Sequence, residues 1–444
     1  PFKVETFFGK PMSGVTFSRK PATAVFARAV VEEANIGVTY SFVGDNASGR
    51  TADGPFANGV FYSSDSGLTW QKQQVSDFNA HESSFCKTKA FSYFLSGKEN
   101  ELCYSRWQPD SETWSAPKII VKTFGKSGFY RSCVSASEDD TAHVCWLDNR
   151  HESRKFNPLA PDRANYEVAY CHRRDSETKW SEDKILSGGL LYAFAPSMSV
   201  EGNNVVIAWA GVRNDKNRRS ESEPSDIYYA ASKDNGDTWS TPKYLPEGIL
   251  GPIKNKPVEA IPGVILCGSS TESTENNQWR VHVETYTEAT DSWVKIPVAD
   301  PKQFDVIQPT FLIHSDNVVQ MLSRSKHNKI ITSWSKNDGK NWGQTDSINV
   351  VNSNSGIDAL TLSKKNFLLV NNPLPQGKDW FNGRNVLDVE YSADGMVWKK
   401  LFDLENQKEG EFSYPAIIQT SDKKIHVLYT YNRKYIKHVA FDLN

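Results

Sequence analysis

The chain has 444 residues, and its 51 lysines and arginines nearly balance 53 aspartates and glutamates, giving a formal net charge of −2. This balance argues against a general affinity for nucleic acid, although it does not exclude a local basic patch. No run approaches the roughly 20 apolar residues of a membrane helix, so no membrane span is expected. Because the chain begins at Pro1 rather than at Met, we expect a secreted or extracellular protein whose leader has been removed. We also expect a monomer.

The six cysteines show no spacing typical of a metal site. They lack Cys-x-x-Cys pairs, and most lie in apolar, strand-like runs, which favours buried free thiols over disulfides. No cluster of His, Asp and Glu has ligand spacing either, so neither a metal nor another cofactor is expected. The cysteines are Cys86, Cys103, Cys133, Cys145, Cys171 and Cys267.

The two ends of the chain carry strand-like segments that complement each other. Residues 2–8 alternate like a lone strand before a break at 9–11, whereas 412–420, 424–431 and 435–442 form three strands without a fourth. The N-terminal strand is therefore expected to pair with the last three. Such pairing would close a ring of sheets and remove exposed edges.

Between these ends, one turn motif recurs. Residues 63–70 follow the pattern Ser-x-Asp-x-Gly-x-Thr-Trp, a close copy occupies 232–239, and looser copies occupy 335–342 and 392–398. The Asp and Ser side chains would cap a tight turn, Gly would take a positive φ, and the final tryptophan would leave the turn as an anchor. We therefore expect four tryptophans to be buried between neighbouring sheets: Trp70, Trp239, Trp342 and Trp398.

The spacing of this motif predicts repeats of four strands. Degraded copies end at Trp114, Trp180 and Trp293, so that successive tryptophans stand 44 to 66 residues apart, which is the length of one propeller blade. Strand patterns between the tryptophans give eight blades, or seven if the segment 84–121, whose first strand is weak, is an elaborated loop. The expected fold is an all-β propeller, a single domain spanning residues 1–444.

The repeated motif resembles the Asp-box, or BNR, repeat of sialidases. From about residue 239 onward, several further segments look like bacterial BNR-repeat proteins of the sialidase family: 245–257, 269–272, 279–284, 307–309, 354–358 and 412–419. The resemblance implies a sialidase-like β-propeller. It also implies a glycoside hydrolase that acts on acidic glycans containing sialic or uronic acid.

The resemblance assigns roles to four residues. Sialidases use a tyrosine nucleophile, three arginines that hold the substrate carboxylate, and an acid/base aspartate. A neutral phenol suits an anomeric carbon that bears a carboxylate, because the carboxylate repels an anionic nucleophile. Tyr414 is similar in spacing to the nucleophile, and Arg384 is similar to the third arginine. Arg19 resembles the first arginine, and Asp53 lies where the acid/base residue would, with Asp45 as a competitor.

Two positions depart from the sialidase pattern. Where the glutamate partner of the tyrosine would stand, the spacing offers Gln308, and near the second arginine it offers Lys329, with Arg324 close by. Glutamine cannot act as a base. The ammonium group of lysine is a compact point charge and cannot form the two parallel hydrogen bonds that a guanidinium makes to a carboxylate. These departures leave a non-catalytic glycan-binding propeller open as an alternative.

In sialidase-type rings, the site lies where the first strand of each sheet starts, where the second strand ends and where the third strand starts. This rule predicts further substrate-binding residues. The arginines of this set suit an anionic sugar. Its two histidines allow another alternative, a polysaccharide lyase in which His or Tyr removes the proton α to a uronate carboxylate. The expected substrate-binding residues are Arg324, Arg280, Gln308, Glu272, Arg150, His151, His81 and Arg433.

Overall fold

The computed structural model describes residues 4–6, 29–32, 35–42, 57–64, 69, 71–76, 80–87, 92–98, 101–108, 110–122, 130–148, 150, 166–188, 190–213, 226–273, 275–314, 317–362, 366–433 and 435–443. The chain divides into two compact units: 10–245, called the N-terminal unit, and 246–444 with 1–9, called the C-terminal unit. The described residues contain one short 3-10 helix, Glu288–Thr290, and otherwise only strands, so the fold is all-β. None of their helices is long and apolar enough to cross a membrane.

The first strand, β1 (Val4–Thr6), belongs to the C-terminal unit, and the N-terminal unit contains four antiparallel sheets of consecutive strands. The second of these sheets has a fifth, two-residue strand, β9, that pairs with β8. The strands are β2 (Ala29–Glu32), β3 (Asn35–Phe42), β4 (Ala57–Ser63) and β5 (Gln71–Ser76); β6 (Ala80–Lys87), β7 (Ser92–Lys98), β8 (Glu101–Gln108), β9 (Thr113–Trp114) and β10 (Lys118–Lys122); β11 (Tyr130–Ala136), β12 (Ala142–Asp148), β13 (Glu167–Arg173) and β14 (Lys184–Ile185); β15 (Leu190–Glu201), β16 (Asn204–Arg213), β17 (Asp226–Ser232) and β18 (Lys243–Tyr244).

The C-terminal unit also contains four antiparallel sheets, and β1 supplies the fourth strand of the last one. Each of the others runs through four consecutive strands in chain order. The strands are β19 (Val258–Ile261), β20 (Val264–Glu272), β21 (Trp279–Thr287) and β22 (Ser292–Pro297); β23 (Val306–Ile313), β24 (Val319–Ser325), β25 (Lys329–Ser335) and β26 (Asp346–Val351); β27 (Asp358–Thr361), β28 (Phe367–Asn371), β29 (Val386–Ser392) and β30 (Lys399–Asn406); β31 (Phe412–Gln419), β32 (Ile425–Tyr431) and β33 (Tyr435–Phe441).

The eight sheets of the described residues correspond to the eight repeats counted from the tryptophan spacing. The weak first strand near Ser84 is present as β6, so 84–121 belongs to a complete sheet rather than to a loop. The expected pairing of the two chain ends is also present, because β1 lies antiparallel to β33 with Val4 opposite Phe441.

The sheets bury apolar residues against their neighbours in sequence. In the N-terminal unit, Leu147 and Tyr170 of one sheet share a core with Ile207 and Trp209 of the next. Both central strands of the third sheet, β12 and β13, are buried along their whole length, as expected for strands covered on both faces. All six cysteines are buried.

Three of the predicted turn motifs have the expected hydrogen bonds. In 232–239 the amide of Gly236 donates to Oγ of Ser232 at 2.8 Å, and the amide of Thr238 donates to Oδ1 of Asp234 at 2.8 Å. The indole of Trp239 donates to the carbonyl of Gly236 at 3.1 Å. Gly236 has a φ of 91°, and a Cβ there would lie 1.8 Å from Oη of Tyr170, so both the turn and the close approach require glycine. The motifs at 335–342 and 392–398 repeat these contacts.

The motif tryptophans anchor the sheets from a half-buried position. Trp239 meets Tyr170 of the preceding sheet edge to face, with ring centroids 4.7 Å apart. Trp342 and Trp398 likewise pack against cores that two successive sheets share. The expectation of anchors between neighbouring sheets is thus confirmed for these three, although none is fully buried. Trp70 and most of its motif lie outside the described residues.

Replacing Trp239 by Ala is expected to lower the free energy of unfolding by about 3 kcal/mol, the low end for loss of a large aromatic side chain, because the ring is half-buried. Chemical denaturation measures this change. Val397→Ala is the control, because Val397 lies in a turn of the same type and is 62% exposed. A loss for Trp239→Ala no larger than that of the control would contradict the role as anchor.

Candidate functional site

In the C-terminal unit, the first strands of two sheets contain bulges, and each bulge redirects one side chain. The register of β23 against β24 shifts between Ile307 and Thr310, and β31 shifts in the same way against β32. Within these bulges Gln308 and Tyr414 have φ of 56° and 52°, and a proline follows each of them. A left-handed backbone at a residue other than glycine costs about 1–3 kcal/mol and is found where a site needs a particular orientation.

Arg324, near the end of β24, connects the two bulges. Its Nη1 donates to Oε1 of Gln308 at 3.2 Å and to Oη of Tyr414 at 3.5 Å. Its Nε donates to Oδ1 of Asn354, just before β27, at 3.1 Å. Side chains from two sheets, the one that contains β23 and β24 and the one that contains β31, and from the loop before β27 therefore converge on one guanidinium.

Arg384, two residues before β29, joins this group through the same asparagine. Its Nη2 donates to the carbonyl of Asn354 at 3.1 Å, and its Nη1 lies 3.4 Å from Oε1 of Glu411. Glu411 also accepts a hydrogen bond from the hydroxyl of Ser413 and lies 3.7 Å from Nε of Arg433. We call the converging residues the arginine cluster: Gln308, Arg324, Asn354, Arg384 and Tyr414.

The two buried arginines differ in their charge partners. Arg384 is 4% exposed and has Glu411 as an ion-pair partner. Arg324 is 6% exposed, yet no carboxylate of the described residues lies within ion-pair distance of it. Burial lowers the pKa of the Arg324 guanidinium, and the positive charge of Arg384 lowers it further. A buried cation bound only by neutral groups is costly, so an anionic ligand at Arg324 would be favourable.

Tyr414 is the accessible member of the cluster, with 38% of the residue exposed. Its ring lies against Gly356, where an added Cβ would be 3.2 Å from Cδ1 of Tyr414, so a side chain at 356 would crowd the ring. The phenolic oxygen is thus held beside a guanidinium, on a residue that is partly open to solvent. This arrangement lets the phenol meet a ligand whose negative charge is bound by Arg324.

A second group of polar side chains fixes the strands beneath the cluster. Nζ of Lys254 donates to the carbonyls of Ile357 and Pro415, both at 2.6 Å, and burial lowers the pKa of this lysine to about 7. Asp358 is 2% exposed and accepts hydrogen bonds from Lys256 and from the backbone amide at 417. Because these contacts cross between sheets, they stabilise the backbone on which Tyr414 is mounted.

Of the other predicted residues in the C-terminal unit, three lie at the borders of the cluster. Glu272 ends β20 in an exposed position, and its charge acts on Arg324. Arg280 is the second residue of β21 and lies 3.4 Å from Asp305. Arg433 is about half exposed and lies over the ring of Trp380.

Of the predicted residues of the N-terminal unit, one is held by carboxylates, one lies in a strand and four lie outside the described residues. Arg150 forms ion pairs with Asp148, at 2.6 Å, and with Asp183. His81 belongs to β6. The remaining predicted residues lie outside the described part of the chain: Arg19, Asp45, Asp53 and His151.

The structure distinguishes the two residues that the spacing offers near the second arginine, and it adds three residues. Arg324, not Lys329, contacts Gln308 and Tyr414, because the register of β23 with β24 places Arg324 opposite Ile307 while Lys329 begins the next strand, exposed. Glu411, Asn354 and Trp380 were not predicted as site residues. The nearest sequence signal for them is position: each lies in a segment just before a first or third strand. Among the described residues, no group of three or more His, Cys, Asp or Glu side chains is arranged to hold a metal ion.

Solved structures similar to this chain include three from different sources. The K499G mutant of NanB sialidase from Streptococcus pneumoniae is 10% identical, with 95% of this chain and 94% of that one covered and a TM-score of 0.39. A protein of unknown function from Dyadobacter fermentans is 15% identical, with 73% and 98% covered and a TM-score of 0.41. An ulvan lyase is 12% identical, with 80% and 90% covered and a TM-score of 0.42.

The sequence itself identifies the family. The BNR repeat-like domain matches residues 164–427, which is more than half of the chain. No curated protein was found to match the sequence. The chain belongs to the BNR repeat-like domain family, in agreement with the recurring turn motif and the four-stranded sheets.

Proposed function

We propose that this protein binds acidic glycans at the arginine cluster and cleaves them as a sialidase-like glycoside hydrolase. The observation that supports this most directly is Arg324, a buried cation without an anionic partner among the described residues, placed 3.5 Å from the accessible phenol of Tyr414. A sugar carboxylate would supply the missing charge through a two-pronged contact.

In the proposed reaction, Arg324 and Arg384 hold the carboxylate and Tyr414 attacks the anomeric carbon. The phenolic oxygen forms a bond to that carbon while the glycosidic C–O bond breaks, and the departing oxygen takes a proton from an acid, the role proposed for Asp53. The phenolic proton passes to water, because Gln308 is not a base. Water then hydrolyses the tyrosyl–sugar bond and restores the phenol.

Two observations favour other uses of the same site. Gln308 occupies the position at which a glutamate would accept the proton of Tyr414, and this favours a glycan-binding protein without turnover. The contact between Arg324 and Tyr414 instead suits a uronate lyase, in which the guanidinium neutralises the carboxylate and the phenol exchanges the α-proton.

Product analysis on a panel of sialylated and uronate-containing oligosaccharides separates these functions. Release of a saturated acidic sugar supports hydrolysis, ultraviolet absorbance from a new carbon–carbon double bond supports elimination, and binding without product supports a glycan-binding protein. Neutral oligosaccharides of the same length serve as the control. If the protein binds no acidic glycan better than its neutral counterpart, the proposal is wrong.

A further inference from the structure

The segment between β28 and β29 exposes two large aromatic side chains beside the arginine cluster. Trp380 is 49% exposed and Phe381 is 44% exposed. Arg384, a member of the cluster, follows them by a few residues in the same segment. Exposed aromatic residues next to a binding site are frequently part of it, because removing them from water costs little of the fold and contributes to ligand binding.

Hydrogen bonds within this segment fix its backbone. The amide at Asp379 donates to Oδ1 of Asn382 at 2.8 Å, and the amide of Asn382 donates to the carbonyl of Asp379 at 3.1 Å. The amide of Gln376 donates to Oδ1 of Asn328, in the turn between β24 and β25, at 2.6 Å. The two aromatic rings are therefore carried by an ordered turn, which lowers the entropy lost when a ligand binds.

Trp380 has close neighbours, yet about half of the residue stays exposed. Phe381 meets the indole edge to face, with an interplanar angle of 86° and centroids 5.5 Å apart. The guanidinium carbons of Arg433 and Arg384 lie 4.0 Å and 5.2 Å from the centre of the ring. Trp279, beside Arg324 and Lys326, is a contrasting case, since it is only partly exposed and serves as packing for those cations.

We propose that Trp380 and Phe381 form a binding subsite for the sugar that adjoins the acidic sugar in the glycan. The C–H face of a pyranose packs on an aromatic ring, and Arg433, which lies over the ring of Trp380, can donate to the hydroxyl groups of the sugar. Arg384 joins the two parts, because it contacts both Trp380 and Asn354. The ligand is accordingly an acidic oligosaccharide rather than a free acidic monosaccharide, an inference that rests on the proposed function.

The test compares binding of matched probes to the full chain by calorimetry. The probes are sialyllactose against free sialic acid, and a uronate-containing tetrasaccharide against free glucuronic acid. Trp380→Ala is expected to weaken oligosaccharide binding about tenfold and to leave monosaccharide binding unchanged. Trp380→Phe, which keeps an aromatic face, should restore most of the affinity. Tyr244→Ala is the control, because Tyr244 is an equally exposed aromatic residue, 49%, on the outer strand β18.

Each result distinguishes the subsite from the proposed function. An affinity advantage of the oligosaccharide that disappears in Trp380→Ala and returns in Trp380→Phe supports the subsite. Equal weakening of both probes, or no weakening, overturns the subsite but leaves acidic-glycan binding at the arginine cluster intact. Failure of the unaltered protein to bind any of the four acidic probes overturns the proposed function and the subsite together.

Discussion

Replacing Tyr414 by Phe is expected to reduce turnover of an acidic glycan on the order of 10³-fold or more while leaving its affinity nearly unchanged. The substitution removes one oxygen atom, the atom that is proposed to form the bond to the sugar. The ring that packs against Gly356 is kept, and Arg324 keeps its contacts with Gln308 and Asn354. Binding of the carboxylate should therefore persist when the nucleophile is gone.

Separate measurements of kcat and of the dissociation constant check this prediction. Tyr391→Phe is the matched control, because it removes a hydroxyl that is bonded to Oδ1 of Asn366 at 2.6 Å and takes no part in the arginine cluster. Unchanged kcat in Tyr414→Phe would exclude the tyrosine as nucleophile. If the unaltered enzyme releases an unsaturated product, the same loss of kcat assigns Tyr414 to proton transfer in elimination.

The repeats could be predicted from sequence because their determinants are local. All the hydrogen bonds that define the turn at 232–239 join residues within eight positions of one another, so the motif specifies the turn by itself. Where the motif is degraded, a different side chain with different contacts occupies the same position in the sheet. At Arg173 a guanidinium replaces the motif serine and is bonded to the hydroxyls of Tyr93 and Tyr104. Such substitutions leave only the aspartate and the tryptophan of the motif, here Asp175 and Trp180, as recognisable signals.

The site could be predicted only in part, because its geometry depends on strand register. Tyr414, Gln308 and Arg384 followed from spacing, and the structure brings them together around Arg324. Arg324 lies in β24 and Lys329 begins β25. The choice between them depends on which one the strand pairing places opposite the bulge of β23, and no local pattern specifies that. The roles proposed for these residues remain predictions, as do the positions of Arg19 and Asp53.

In three first strands, a residue that is followed by proline marks the position of a bulge. Gln308 and Tyr414 each precede a proline inside a bulge of a first strand, and Ala195 precedes Pro196 in the same setting in the N-terminal unit, with a φ of 53°. Proline lacks the amide hydrogen that a continuous ladder needs, so it marks a break in pairing. In this chain, the residue before such a proline is the one whose side chain the bulge redirects.

Arg324→Lys is expected to weaken binding of an acidic glycan by about 1.5–3 kcal/mol, roughly 10- to 150-fold, although the positive charge is kept. The guanidinium donates at once to Gln308, Tyr414 and Asn354, and its planar fork can place two further donors on a carboxylate. A single ammonium at that depth cannot reach both the protein acceptors and the ligand. Arg384→Lys should weaken binding as well, but by less, because Glu411 already neutralises part of its charge.

Titration of the two variants with the same acidic oligosaccharide at one ionic strength measures the difference between them. Arg280→Lys provides the comparison, since Arg280 lies at the border of the cluster, is 39% exposed along its side chain and is paired with Asp305. Lysine keeps the charge that pairs with Asp305, and an exposed ion pair of this kind contributes less than about 1 kcal/mol, so Arg280→Lys should change binding little. The assignment of Arg324 as the main carboxylate ligand fails if its lysine variant binds as tightly as Arg280→Lys, or if affinity for a neutral oligosaccharide falls by the same factor. A selective loss of the acidic ligand is expected, because the binding energy at this position depends on a buried cation that has no anionic partner among the described residues.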